Sequence, residues 1–237
     1  MFLFSAPWER EWWTWHVVRV AAYVLALTYV SRGYVRMVGD TRKALAETKR
    51  SGRRLAAEYA VTRILAESAT IKDATHGVLR VVGETLDWEI GMFWRLEEQN
   101  QVLRFVVLWH APDVEATEFI QDSKDRTFTR GEGLVGRVWA SGKSMWIPDV
   151  CADPTFRRAE IAARVGLHGA FAFPVSKGER LYGVIDYFTR TSREPDRDVL
   201  EMVADLGIKV GLFVDRKRTE AELRESEARL VQEQRLA

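Results

Sequence analysis

Residues 127–142 read Thr-Phe-Thr-Arg-Gly-Glu-Gly-Leu-Val-Gly-Arg-Val-Trp-Ala-Ser-Gly. Gly131, Gly133, Gly136 and Gly142 punctuate the stretch, and Leu134, Val135, Val138 and Trp139 recur between them at helical spacing. The pattern predicts a short helix bracketed by glycine turns. It is not a phosphate loop, because no Gly-Lys-Ser/Thr ending follows and the spacing differs. Upstream, Trp88 to Leu96 and Val102 to Trp109 are β-branched and aromatic runs joined by the polar turn Glu97–Gln101, which predicts a hairpin. Glu115 to Asp125 carries a weak helical pattern. Downstream, Ser144 to Ile147 reads as a short strand. Pro148 and Pro154 bound a loop that runs into a polar helix from about Phe156 to Val165. Ala170–Val175 and Leu181–Thr189 are strands around the turn Lys177–Arg180.

Helices flank this core. Lys72 to Leu86 places Ala74, Val78, Val81, Val82 and Leu86 on one face, and Arg36 to Ser68 has Leu45, Leu55, Tyr59, Ile64 and Leu65 at roughly helical spacing. Pro195 is expected in the first turn of a last helix running to Ala237. The first half of that helix is apolar from Val199 to Val214. Its second half is nearly all charge, with Leu223, Leu230 and Ala237 seven residues apart. A charged helix with so thin an apolar stripe is expected to be one strand of a coiled coil.

The 237 residues carry 35 Lys+Arg against 34 Asp+Glu, so no global basic field exists for gripping nucleic acid. The single cysteine, Cys151, cannot form an internal disulfide or a multi-cysteine zinc site, which fits a reducing compartment. Tryptophan is the skewed count: four of nine lie between Trp8 and Trp15.

Those tryptophans flank the apolar run from Trp12 to Ser31, about the length that crosses a bilayer. Arg19 and His16 interrupt it, and the clean stretch between Arg19 and Arg32 is twelve residues. An interfacial helix is the competing reading. Trp8, Trp12, Trp13 and Trp15 would form one aromatic belt, and Tyr29 and Tyr34 the other. The segment after the run is basic through Arg32, Arg36, Arg42, Lys43, Lys49, Arg50, Arg53 and Arg54, which places the C-terminal side in the cytoplasm by the positive-inside rule. The expectation is a transmembrane helix over 12–31 and a basic linker helix over 32–54. The interrupted run suits the last helix of a longer membrane domain.

Four segments in order resemble a GAF domain: Thr127–Gly142, Asp149-Val-Cys-Ala-Asp-Pro-Thr-Phe156, Gly166-Leu-His-Gly-Ala-Phe-Ala-Phe-Pro-Val175 and Leu181-Tyr-Gly-Val-Ile-Asp-Tyr-Phe188. The resemblance covers about residues 55–216. It implies an α+β fold with a central antiparallel sheet and helices on both sides, terminal helices that pack together and often form a parallel dimer, and a pocket between the sheet and the loop-helix side. Arg218 to Leu230 resembles the helix that links sensor domains to downstream kinase or PAS domains in bacterial receptors, which defines a signalling helix over 217–237.

Strand alternation suggests Phe93, Phe171, Phe173 and Tyr187 for the pocket side, with Trp139 and Phe156 closing it. Cys151 lies in the half of the domain where bilin-binding relatives carry their chromophore, but Ala152 and Asp153 follow it rather than a histidine. Thiol exchange of the kind that reduces free methionine sulfoxide needs a second cysteine. Haem would need a histidine; His168 precedes a strand and His110 ends one, positions that are usually structural. Bilin and haem are therefore not expected, and the ligand is unknown. The Asn-Lys-Phe-Asp-Glu motif of cyclic-nucleotide binders is absent. Asp186 interrupts an apolar strand and either meets a ligand or partner or faces solvent. No paired carboxylates, metal-ligand spacing or Ser-His-Asp arrangement stands out, so neither catalysis nor a metal is expected.

The resulting expectation is the sensory part of a membrane-anchored receptor at the cell inner membrane. A cytoplasmic GAF domain would sense a small molecule or pass on a signal as a parallel homodimer, as in a sensor histidine kinase, without binding nucleic acid. The alternative is a structural dimerisation module that binds no ligand.

Overall fold

In the computed structural model the backbone is described for residues 7–236, and side chains for all of these except 7–11, 35, 38–51, 53, 230, 231 and 233–236. The expectations on Trp8, Arg42, Lys43, Leu45, Lys49, Arg50, Arg53, Leu230 and Ala237 fall outside the described side chains. The chain divides into two units, Met1–Gly52 and Arg53–Ala237.

Helix α1 spans Pro7–Glu67, so the 12–31 and 32–54 segments are helical. In the first unit the apolar side chains from Trp12 to Tyr34 are exposed, among them Trp13, Trp15, Leu25, Leu27 and Tyr29. The expected transmembrane helix is corrected: among the described residues no helix is long and apolar enough to cross a membrane. The physical reason is Arg19, which leaves twelve clean residues before Arg32, where a span needs about 20.

In the second unit a six-stranded sheet is built from β1 (Ile90–Glu97), β2 (Val102–His110), β3 (Thr127–Phe128), β4 (Met145–Ile147), β5 (Gly169–Lys177) and β6 (Arg180–Thr189), in the order β3-β2-β1-β6-β5-β4. Every neighbouring pair is antiparallel. The hairpins read from sequence are β1–β2 and β5–β6. Their strands meet at the centre, where Phe93 faces Ile185 and Met92 faces Asp186. The edge strand β3 was not anticipated; two residues carry no periodicity.

Two cores lie on opposite faces of the sheet. One packs Phe93, Phe171, Phe173, Ile185 and Tyr187 against the last residues of α1, helix α2 (Ile71–Leu86) and helix α6 (Arg197–Leu236). The other packs Met92, Trp94, Val184 and Phe188 against α3 (Thr117–Asp125), α4 (Gly133–Ser141), α5 (Ala159–Arg164) and their loops. This is the α+β architecture that the resemblance implies. The Thr70 hydroxyl caps α2 by accepting from Asp73 N at 3.1 Å. Helix α6 starts at Arg197, two residues after Pro195, because Asp196 accepts from the backbone N–H groups of Asp198 (3.0 Å) and Val199 (3.3 Å) and so takes the capping place.

Gly207 and Gly211 lie one turn apart and bring the α6 backbone directly onto β5. A Cβ at Gly207 would stand 2.1 Å from the Pro174 carbonyl oxygen, and one at Gly211 2.1 Å from that of Ser176. Alanine normally stabilises a helix by about 1 kcal/mol over glycine. Here the backbone it meets cannot turn aside, and overpacking of this kind costs about 1–3 kcal/mol. Gly207→Ala and Gly211→Ala are each expected to lower the urea midpoint of unfolding. A midpoint that stays or rises would show that α6 does not lie this close.

Candidate functional site

Asp186 lies in the middle of β6 with Met92 and Ala172 as its cross-strand neighbours, and it is fully buried. The solvent-facing alternative for this residue is thereby excluded. A buried carboxylate needs donors. The Trp94 indole Nε1 donates to Oδ1 at 2.9 Å, and Arg158 Nη2 donates to Oδ2 at 3.3 Å.

Arg158 is 2% exposed and reaches this point from the residue that precedes α5. The loop before it is tied down by Asp153, which accepts from Thr155 N (2.8 Å) and Oγ1 (2.6 Å) and pairs with Arg137 of α4 at 3.0 Å. Turns follow from Asp153 O to Phe156 N and from Phe156 O to Ala159 N, so α5 begins at Ala159, later than the expected Phe156. Arg158 Nη1 donates to the Ser123 hydroxyl at 2.5 Å, which itself donates to the Phe119 carbonyl at 2.6 Å. Five rings surround the guanidinium carbon: Phe119 at 4.4 Å, Phe188 at 5.1 Å, Phe156 at 5.5 Å, Phe128 at 5.6 Å and Trp94 at 5.7 Å. The cation is thus held by ring quadrupoles as well as by Asp186. Its Nε, also buried, has no acceptor.

Burial pushes the Asp186 carboxyl up to about 6, with Arg158 and Trp94 pulling it back. Burial also lowers Arg158, opposed chiefly by Asp186. A guanidinium starts so high that it stays charged.

The structure does not bring the six expected pocket residues together. Phe93, Phe171, Phe173 and Tyr187 lie on the terminal-helix face, where Phe171 stacks on Tyr187 at 5.0 Å and the Tyr187 hydroxyl donates to the Leu79 carbonyl of α2. The alternation was as expected but the face was the other one, because a slip of one residue exchanges the two sides of a strand. Phe156 belongs to the box around Arg158. Trp139, half-buried, lines an open groove of about 400 Å³ with Leu96, Glu98, Arg130 and the β5–β6 turn. Arg158 and Ser123 were missed; the only pointer was Asp186, a charge with no visible partner. Cys151 is half-buried, and its thiol donates to the Leu167 carbonyl at 3.3 Å. His168, considered apart from it, stands beside Asp149 at 3.1 Å, and His110 is exposed at the end of β2.

A family model described as GAF domain matches residues 68–207. Among solved structures, the GAF domain of a phosphoenolpyruvate-protein phosphotransferase from Coxiella burnetii is 14% identical with a TM-score of 0.61, covering 72% of this chain and 97% of that one. The GAF domain of nlh2 from A. aeolicus, in an inactive state, is 22% identical with a TM-score of 0.56, covering 70% and 98%. Free methionine-R-sulfoxide reductase from Neisseria meningitidis, in complex with its substrate, is 16% identical with a TM-score of 0.56, covering 70% and 93%. No curated protein matches the chain.

The buried pair makes two predictions. Removing one partner, by Arg158→Met or Asp186→Leu, is expected to destabilise by about 3–5 kcal/mol, whereas the double replacement is neutral or stabilising by about 1–4 kcal/mol. Additive losses in chemical denaturation would contradict a coupled pair. The second concerns pH. With the folded carboxyl near 6 and an ordinary value of 3.8, the folded state holds an extra proton between them. The contribution of this group is therefore full below about 4 and is lost as pH rises to about 6, with no further change above. Asp186→Asn should remove that downward slope from the stability profile between pH 4 and 6; an unchanged profile would mean the carboxyl titrates elsewhere.

Proposed function

The chain belongs to the GAF domain family, and from that premise we propose that it is a signal-transmitting module in which a small molecule bearing an anionic group is read by Arg158. The family makes it a small-molecule sensing or signalling module at the coarse level. The observation that carries the finer reading is the Arg158 guanidinium, buried in five rings with one N–H unused. A ligand carboxylate or phosphate that competed with Asp186 for this cation would act on β6 at the centre of the sheet. The reverse face of the same strands carries α2 and α6.

The proposed output is a parallel homodimer. The last residues of α1 and the first half of α6 run side by side in the same direction, with Arg54 near Asp205 and Glu58 near Lys209, each pair at 3.9 Å. Leu55 and Tyr59 on α1 and Ile208 and Leu212 on α6 are exposed, each pair one turn apart. A second copy would cover such a stripe. The likeness of residues 218–230 to sensor linker helices supports a kinase-type receptor as the setting. For the membrane, what speaks is the exposed apolar surface of residues 12–34 and the basic residues that follow. The reading is an association of this helix with the cytoplasmic side of the inner membrane, or with other membrane helices, and not a span. No catalysis is assigned to this chain: burial, and then the charge of Asp149, raise the Cys151 thiol, the reverse of what a nucleophile needs.

One observation favours the alternative of a purely structural dimerisation module: the interior that a ligand would enter is filled by the chain's own arginine and rings. Thermal-shift titration of the full chain with small carboxylates and phosphates decides between them. The proposal expects a rise in melting temperature for some anion that Arg158→Met abolishes; no shift with any anion supports the structural module. On either reading, Ile208→Glu with Leu212→Glu is expected to convert a dimer to a monomer in analytical ultracentrifugation while leaving the circular dichroism spectrum intact. A monomeric unmutated chain at tens of micromolar would remove the dimer from both.

A further inference from the structure

We infer that Asp149, Cys151 and His168 form a binding site for a single divalent transition-metal ion of the zinc type. Among the described residues these three offer ligand atoms that all lie within 4.8 Å of one another. They come from two places 17–19 residues apart: the loop after β4 and the residue before β5. The backbone holds them together. Val150 N donates to the His168 carbonyl at 2.7 Å, and His168 N donates to Thr189 of β6 at 2.8 Å, so the loop is an extension of the sheet. Cys151 N donates to Asp149 Oδ1 at 3.0 Å, which fixes the turn between two of the ligands.

The donor set is one thiol, one imidazole and one carboxylate. That mixture suits zinc or a similar borderline ion and suits neither calcium nor magnesium. The Asp149 oxygen and His168 Nδ1 are 3.1 Å apart. Two such ligands at about 2.0–2.1 Å from a tetrahedral ion stand about 3.3 Å apart, so this edge is already formed. The sulfur lies within 4.8 Å of both and would close in on the ion as the thiol leaves the Leu167 carbonyl. Asp149 Oδ1 is held in place by the Cys151 N–H at 3.0 Å and by His168 Nδ1 at 3.1 Å. When the ion binds, the Cys151 thiol releases its proton to solvent. Thiolate and carboxylate then neutralise the two positive charges. All three residues are half-buried, which leaves the fourth position open to water or to a ligand. An ion here would fasten the loop that leads to Arg158 onto the start of β5. The site does not depend on what Arg158 binds.

Cobalt(II), added to the reduced full chain, tests this with a visible reporter. The chain has one cysteine, so a thiolate-to-cobalt charge-transfer band can arise only from Cys151. The expected result is such a band saturating at one equivalent, bleached by zinc, with about one proton released per ion so that affinity rises with pH. Cys151→Ser should abolish the band. His168→Ala and Asp149→Ala should each weaken binding by about tenfold or more, while His110→Ala should leave it unchanged. Absence of the band, a stoichiometry of one ion per two chains, or full affinity in His168→Ala or Asp149→Ala would overturn the site. Circular dichroism of each variant identifies any that lost its fold, and for those the charge-conserving Asp149→Glu and the ligand-retaining Cys151→His provide the reading: each must still bind one zinc ion in calorimetry if the site exists.

Discussion

A carboxylate placed in the middle of the central strand governs one entire face of this domain. Asp186 cannot reach water from β6, so the elements above it must supply its donors. Trp94 comes from the neighbouring strand and Arg158 from the start of α5. Arg158 brings its own requirements, which Ser123 of α3 and five rings meet. A wholly apolar filling of the same volume would usually be as stable or more so. The charge pair is therefore poorly explained as a source of stability. What it gives this face is a polar focus inside an otherwise apolar core.

The opposite face obeys a simpler rule. Its strands present Phe93, Phe171, Phe173 and Tyr187 to helices that bring apolar residues such as Val78, Val82, Leu206 and Val210. The contacts there are ring on ring and helix backbone on strand. Tyr187 ties β6 to α2 through the Leu79 carbonyl, and the two glycines of α6 rest on the carbonyls of Pro174 and Ser176. Such an interior has no soft layer, because packed cores shift between arrangements more readily than they compress. Asp186 and Tyr187 are consecutive residues on opposite sides of one strand. A rotation of β6 that relieves a change at the first must be felt at the second.

Most elements were legible from periodicity, and the reasons for the failures are specific. The runs Ala170–Val175 and Leu181–Thr189 are buried on both sides, so apolar residues occupy both faces and alternation does not say which face is which. That is why four of the six expected pocket residues belong to the other core. In sequence Arg158 is one of three arginines in the expected polar helix Phe156–Val165, with Arg157 and Arg164. In the fold it precedes the helix, because the turn at Phe156–Ala159 uses the residues expected for its first turn, and helical-face arithmetic cannot place it. Asp149, Cys151 and His168 meet through one backbone hydrogen bond between distant segments, which no local pattern encodes. The membrane-length run was read from its ends; the charge at Arg19 shortens its clean apolar stretch to twelve residues.

The last contacts of α6 with the domain indicate where a change in the sheet would leave it. Lys177 and the Tyr182 hydroxyl both reach Asp215, and Arg218 shares Glu98 with Arg180. These contacts fasten α6 to the tips of both hairpins. Beyond Arg218 the described ion pairs are local ones, such as Arg229 with Glu225 at 2.6 Å. Pairs of this kind contribute about 0.3–0.5 kcal/mol each and cannot hold a helix of that length in water. The second half of α6 therefore takes its order from the first half, and Leu223 on it is exposed. A movement of the hairpin tips is small at the sheet. It is applied at the last point where the described contacts hold α6 to the domain, and in the proposed dimer a partner helix beyond that point would turn it into a difference between two arrangements.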